Sequence, residues 1–156
     1  MRKSTLVFIF LLLASLTGWT QSSKNSELKE VFKDNFPIPD TPPEPKGGYK
    51  KLYKYIKKTI RYPNEALQKG IEGKVYITLI INEDGNVDKS SVRPLTEEEL
   101  SLLTIPKQVY ILNGKCFECE EELVRVFRGS PIWIAASKNG SPVKSRMTIP
   151  FNFKYN

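Results

Sequence analysis

The sequence predicts an α+β fold, in which helices pack against an antiparallel sheet. Three kinds of segment predict it. Residues 73–92 alternate apolar and polar side chains around a glycine-containing turn, as a β-hairpin does. Residues 49–60 and 118–128 carry apolar side chains at helical spacing. Residues 146–155 alternate again and predict a last strand. The 156 residues are enough for one domain with additional segments.

The hairpin is the most regular of these elements. Its first strand is apolar on one side, at Val75, Ile77, Leu79 and Ile81, and mainly polar on the other, at Lys74, Tyr76, Thr78 and Asn82. This period of two predicts one buried face, and Ile80 indicates that the second face is partly covered. The turn follows at residues 82–85, where Gly85 adopts a positive φ without steric cost. A weaker return strand runs from Val87 to Val92.

An amphipathic helix precedes the hairpin. Its apolar stripe consists of Tyr49, Leu52, Tyr53, Ile56 and Ile60. The helix ends near Tyr62, because the residue before Pro63 is pushed out of the α region. Asn64 then caps a short helix, 65–69, which Gly70 ends. The lysines on the other side of the first helix form either a solvated face or a site for an acidic surface; they are Lys50, Lys51, Lys54, Lys57 and Lys58.

A second long helix is predicted for residues 118–128. Its buried stripe comprises Cys116, Cys119, Leu123, Val126 and Phe127. The two cysteines form a C-x-x-C motif at the start of a helix, a position that lowers a thiol pKa and suits thiol exchange. No thioredoxin-like βαβ pattern surrounds the motif, so a local disulfide or two packed thiols are the structural alternatives.

The last strand points Met147, Ile149, Phe151 and Phe153 inward and Arg146, Thr148, Pro150 and Asn152 outward. Pro150 has no N–H to donate, which predicts a strand at the edge of the sheet. An edge strand offers its free backbone groups to another extended chain. The alternation therefore predicts either a peptide-binding edge or a homodimer formed by edge-strand pairing.

The N-terminal part indicates export. Residues 1–20 begin with Arg2 and Lys3 and continue with an apolar core of eleven residues, 6–16. This core falls short of the ~20 residues that cross a bilayer, so we expect a cleaved signal peptide or a short anchor and a periplasmic location. Residues 21–46 are rich in serine and proline and predict an extended linker. At ~3.3 Å per residue, that linker reaches about 80–90 Å.

Charge and composition exclude several classes of function. The formal net charge is +7 and falls to +5 when the leader is removed with Arg2 and Lys3, which favours an acidic partner surface or peptide. An exported chain is a poor candidate for nucleic-acid binding. The chain contains no histidine, which argues against imidazole catalysis and leaves a zinc site at the cysteines without enough ligands. We expect no metal and no cofactor.

From about Pro45 to Tyr155 the chain resembles the TonB C-terminal domain family, in the form common among Bacteroidetes-type TonB-like proteins. The resemblance rests on an ordered set of short motifs rather than on one signature. The motifs are Gly47-Gly48, Ile60-Arg61-Tyr62-Pro63 with Ala66, Gly70-Ile71-Glu72-Gly73-Lys74-Val75, Asp84-Gly85-Asn86-Val87, Glu121-Glu122-Leu123, Pro131-Ile132-Trp133, Gly140-Ser141-Pro142-Val143 and Ile149-Pro150-Phe151-Asn152-Phe153.

The resemblance implies two or three helices on one face of a small three-stranded antiparallel sheet, formed by residues 47–156. It implies a binding module and not an enzyme. Members of the family take up the TonB-box segment of outer-membrane receptors by strand addition, and so support energised transport of siderophores, vitamins or glycans. The implied peptide-binding residues are Tyr62, Pro63, Arg146, Thr148, Pro150 and Asn152. Partnership with inner-membrane proton-driven motor proteins is implied if the leader is retained.

Two alternatives remain open at this point. A removable leader, a short linker and an unusually long segment at 94–115 fit a stand-alone envelope protein that binds other proteins without transducing energy. The other alternative is a thiol-redox protein that acts through Cys116 and Cys119. For Tyr62 and Pro63, the simpler structural reading is the end of a helix.

Overall fold

The computed structural model describes residues 35–102 and 116–154. The predicted leader, most of the predicted linker and much of the 94–115 segment lie outside the described residues. The helices are α1 (Gly48–Thr59), α2 (Asn64–Gln68), α3 (Glu97–Leu102) and α4 (Phe117–Arg128), and the strands are β1 (Glu44–Pro45), β2 (Gly73–Ile81), β3 (Val87–Pro94), β4 (Trp133–Ile134), β5 (Ala136–Lys138), β6 (Ser141–Val143) and β7 (Ser145–Phe153). In the described ranges, no helix combines the length and apolarity that crossing a membrane requires.

The main sheet has three antiparallel strands in the order β3-β2-β7. β2 is the central strand, and all nine of its residues pair with β7, from Gly73 opposite Phe153 to Ile81 opposite Ser145. The predicted three-stranded antiparallel sheet of an α+β domain is therefore confirmed. Two short ladders, β1 with β4 and β5 with β6, supplement it and were not predicted.

The core lies between one face of this sheet and the helices α1 and α4. The predicted inward residues of β2 are all buried, together with Ile149 and Phe153 of β7. They share one cluster with Leu52 and Ile56 of α1 and with the α4 side chains Leu123, Val126 and Phe127. The helices thus cover the face on which the alternating strands place their apolar residues.

The prediction of which α1 side chains are buried is wrong on one flank of the apolar stripe. Tyr49 and Tyr53 are each 44% exposed. Tyr55, which the stripe left out, packs against the core, and its hydroxyl donates to the carbonyl oxygens of Val126, at 3.0 Å, and Gly129, at 2.6 Å. The helix is turned about its axis towards Tyr55, because a phenol hydroxyl there satisfies carbonyl groups at the C-terminus of α4.

One smaller prediction also needs correction. Asn64 is the first residue of α2 and not its cap; the cap position belongs to Pro63, whose φ of −62° suits the entry into a helix. In β4 and just before it, Ile132 and Ile134 are 43% and 57% exposed, whereas Trp133 between them is buried. The strand geometry explains this, since neighbouring residues of an extended chain point to opposite sides.

The segment before α1 contacts the domain over much of its length. Residues 44 and 45 pair with β4, and Thr41 forms an isolated bridge with Ser137. The Asp40 carboxylate accepts a hydrogen bond from the Asn139 N–H at 2.7 Å. We call residues 36–46 the N-terminal strap. Part of the segment with linker-like composition is therefore held against β4 and β5 by backbone hydrogen bonds.

The chain divides into two compact units, and α3 falls in the smaller one. The helix is six residues long. Three glutamates, Glu97, Glu98 and Glu99, occupy its first turn, where negative charge is favourable to the helix dipole.

The β2–β3 turn packs closely on the start of β4. Gly85 has a φ of +81° and accepts a hydrogen bond from the Trp133 N–H at 2.8 Å. A Cβ atom at Gly85 would overlap the Trp133 carbonyl oxygen. Glycine is needed here both for the left-handed backbone and for the close approach of a second segment.

We expect the substitution Gly85→Ala to lower the free energy of unfolding by about 3 kcal/mol, since it adds both backbone strain and an overlap with Trp133. Gly140→Ala is the matched control: Gly140 has a φ of +77°, but its added Cβ would meet no atom within 4 Å. It should cost only the strain, about 1 kcal/mol. Urea unfolding of both variants measures the difference; equal losses would show that the contact with Trp133 does not matter.

Candidate functional site

The candidate site is the outer edge of β7, the side turned away from β2. Two hydrogen bonds fix which backbone groups point there. The Tyr76 carbonyl accepts from the Leu95 N–H at 3.0 Å, and the Ile80 N–H donates to the Ser91 hydroxyl at 2.8 Å. Even-numbered residues of β2 therefore direct their backbone groups towards β3, and odd-numbered residues direct theirs towards β7. In an antiparallel pair, two directly opposite residues direct their backbone groups either both towards each other or both away from each other. The odd-numbered residues of β7, which lie opposite the odd-numbered residues of β2, therefore direct their backbone groups towards β2.

The outward backbone groups of β7 consequently belong to its even-numbered residues. Arg146, Thr148 and Asn152 present an N–H and a carbonyl each, whereas Pro150 presents a carbonyl alone. Within residues 35–102 and 116–154, no strand pairs with this edge. Among the described residues β7 is thus an edge strand, on which Thr148, Pro150 and Asn152 offer two N–H donors and three carbonyl acceptors in one row.

The side chains of these four residues lie on the face of the sheet opposite the core. Pro150 and Asn152 are exposed, while Arg146 and Thr148 are half-buried. The Arg146 guanidinium donates to the Thr78 hydroxyl at 3.1 Å and so bridges from β7 to the central strand. Four of the predicted site residues are therefore brought together in one row.

The opposite edge of the sheet, β3, is less suited to accept another strand. Its pairing with β2 is interrupted by a register shift between Thr78 and Ile80. The Ser91 hydroxyl folds back to the Asp88 carbonyl at 2.6 Å, and the Arg128 guanidinium donates to the Lys89 carbonyl at 3.2 Å. Bulges and charged side chains of this kind protect an edge from further pairing.

Tyr62 and Pro63 are placed differently from the other predicted site residues. The Tyr62 ring packs edge-to-face on Phe153 with 5.4 Å between ring centroids, and its hydroxyl donates to the Ile71 carbonyl. Burial, and then the negative charge of Glu72, raise the pKa of the Tyr62 hydroxyl above its ordinary value. Tyr62 therefore supports the end of β7 from the core face, and Pro63 beside it occupies the N-cap position of α2.

A charged pair on α4 holds the chain just before this corner. Glu122 accepts the Arg61 N–H at 2.6 Å and is bound through both carboxylate oxygens by Arg125, at 2.7 Å each. Arg125 also donates to the Thr59 carbonyl at the end of α1, at 2.8 Å. Arg125, and then the Arg61 N–H, lower the pKa of the Glu122 carboxyl group. Sequence reasoning assigned neither residue a role, and their spacing of three along a helix was the available signal.

Cys116 and Cys119 form a disulfide with 5.2 Å between their Cα atoms. Cys116 sits at the N-cap of α4, where its sulfur accepts the Cys119 N–H at 3.2 Å. Both cysteines are at most 1% exposed, so an attacking thiolate cannot reach either sulfur in the folded state. This burial argues against thiol exchange. Within the described ranges, no cluster of three or more potential ligand side chains could hold a metal ion.

Residues 58–99 match the family described as the C-terminal part of the Gram-negative bacterial TonB protein. Among solved structures, the solution structure of the TonB C-terminal domain of Helicobacter pylori is similar at 18% sequence identity and a TM-score of 0.35, covering 67% of this chain and 90% of that one. The comparison with curated proteins gives no match. The predicted resemblance to the TonB C-terminal domain family is confirmed over residues 58–99, which include Tyr62, Pro63 and the β2–β3 hairpin.

We expect Glu122→Gln to destabilise the domain by about 1 kcal/mol at neutral pH, since it weakens the charged contacts to Arg125 and the Arg61 N–H. The lowered pKa means that the carboxylate stabilises the fold above the ordinary glutamate pKa of ~4.3 and loses this effect as pH falls. The two proteins should therefore converge in stability near about pH 3. Urea unfolding at both pH values tests this, with Glu121→Gln on the exposed side as the control.

The disulfide should resist reduction in the folded protein. We expect dithiothreitol followed by iodoacetamide to label neither Cys116 nor Cys119 under native conditions and to label both in urea, as read by mass spectrometry. The physical reason is the burial of both sulfur atoms. Loss of this short loop closure should cost about 2 kcal/mol of stability. Rapid native labelling would instead revive the redox reading.

Proposed function

We propose that this chain is a TonB-like binding module of the cell envelope that takes up an extended segment of an outer-membrane receptor as a fourth strand on β7. The observation that carries the proposal is the row of outward backbone groups on β7. Strand addition uses such groups for affinity, and side-chain pockets for specificity. The domain acts by binding another protein and needs no catalytic residue.

The edge offers enough interaction for a weak, reversible complex. The two donors and three acceptors of Thr148, Pro150 and Asn152 allow a short segment to form several backbone hydrogen bonds, each worth about 0.5–1.5 kcal/mol. The residues in contact would be Arg146, Thr148, Pro150 and Asn152, and an acidic segment would suit the positive net charge of the chain.

Tyr62 and Pro63 serve this function as positioning residues. Tyr62 fixes the end of β7 through Phe153 and Ile71, and the Glu122–Arg125 pair fixes the chain that enters the corner. A rigid edge strand loses little conformational freedom when a partner binds, and this raises the affinity of a complex that relies on few contacts.

Whether the domain also transmits force depends on the N-terminal segment. A retained leader would connect it to an inner-membrane motor, and a cleaved one would leave a stand-alone module that binds envelope proteins. The short apolar core of the leader favours cleavage. N-terminal sequencing of the exported protein separates the two: a start at Gln21 would exclude membrane-anchored energy transduction by this chain alone.

Binding by strand addition should depend on the Thr148 backbone N–H. We expect Thr148→Pro, which removes this outward donor, to weaken binding about tenfold, while Thr148→Ala, which keeps it, changes affinity less than threefold. The measurement is an NMR titration with synthetic peptides that span the TonB-box segments of receptors encoded in the same genome. Neither substitution removes a hydrogen bond between β2 and β7, so circular dichroism should show an unchanged fold.

Binding of a peptide with shift changes confined to helix α1, and equal affinity of both Thr148 variants, would contradict strand addition on β7. Absence of binding for every receptor peptide from the same genome would contradict the receptor-binding function itself.

A further inference from the structure

The outer edge of β7 is complementary to itself as well as to a peptide. Two copies that meet through this edge would be related by a two-fold axis and would pair antiparallel, with the same residues contributed by each copy. An extended strand of nine residues with no strand paired to its outer edge, among the described residues, is the kind of template that drives such association. Such an edge favours dimers unless a feature of the strand opposes them.

The position of Pro150 decides which registers are open to such a dimer. Pro150 is one of the four residues whose backbone groups point outward, so a partner strand that runs along residue 150 faces a ring where an N–H donor is needed. Any antiparallel register that pairs more than five residues of the two β7 strands brings Pro150 opposite a β7 residue of the other copy. Both copies then lose a hydrogen bond, because the proline occurs twice.

The registers that avoid Pro150 form two groups. One group pairs no more than residues 145–149 of each copy and places Arg146 opposite or diagonal to Arg146 or Lys144 of the second copy. Like charges in these positions of an antiparallel pair are destabilising. The other group pairs no more than the three residues 151–153 of each copy. Pro150 thus opposes every register that pairs more than five residues, and the registers that remain are either opposed by charge or limited to three residues of each strand.

We propose that Pro150 prevents the β7 edge from pairing with the β7 edge of a second copy, and so keeps the protein monomeric with its edge available. This inference goes beyond the proposed function, because it concerns self-association and does not depend on whether a receptor segment binds. It answers the homodimer alternative that the sequence left open: the edge that suggests a dimer also contains the residue that disfavours it.

The test is the substitution Pro150→Ala, which restores the outward N–H, studied in the mature exported chain. Because each dimer gains two hydrogen bonds, we expect the association constant to rise at least tenfold. Asn152→Ala is the matched control: residue 152 lies on the same edge and is exposed, but its substitution leaves the backbone donors unchanged. Sedimentation velocity over a hundredfold concentration range gives the dissociation constants.

Two further variants complete the test. Pro150→Thr restores the same donor with a residue that favours strands, so it should associate like Pro150→Ala and guards against a folding defect of one variant. Thr148→Pro combined with Pro150→Ala places a proline back on the edge and should return the protein to a monomer. Association of Pro150→Ala and Pro150→Thr no stronger than that of the wild type, or unchanged association in the double variant, would overturn the proposal.

Discussion

The antiparallel pairing of β2 with β7 is the interaction on which the rest of the structure depends. All nine residues of β2 take part, and the alternation of their backbone groups between β3 and β7 decides which atoms of β7 face outward. The same alternation places Ile77 and Ile149 in the core and Thr78 with Arg146 on the opposite face. Core packing and the chemistry of the exposed edge are thus two results of one register, since a slip by one residue would exchange them.

α4 is the second organising element, because side-chain hydrogen bonds join it to α1 in both directions. Tyr55 of α1 satisfies carbonyl groups at the C-terminal end of α4, and Arg125 of α4 satisfies the Thr59 carbonyl at the end of α1. Each helix therefore receives a side-chain donor where its own carbonyls have no intrahelical partner. This reciprocal arrangement fixes the chain that leads to Tyr62, and through it the support of β7.

Periodicity predicted the elements of this fold well and their orientation less well. The alternation of apolar and polar residues predicts the strands β2 and β7, and Pro150 predicts the edge position of β7. Both signals can be read from a few neighbouring residues of the sequence. The buried face of α1 cannot be predicted in this way. Tyr49 and Tyr55 lie on opposite flanks of Leu52, and only the partner helix decides which of the two tyrosines is buried. The role of Glu122 was equally hidden, because its contact with the Arg61 N–H joins residues far apart in sequence.

The N-terminal strap has a practical consequence for anyone who prepares this domain. Composition places the start of the folded region at Gly47, after the last proline of the strap. A fragment cut there would lose the partners of Trp133 and Ile134 and uncover the unpaired edge of β4. A fragment that begins at or before Phe36 keeps the strap, so a difference in solubility between the two fragments would reflect a missing strand rather than a flexible tail.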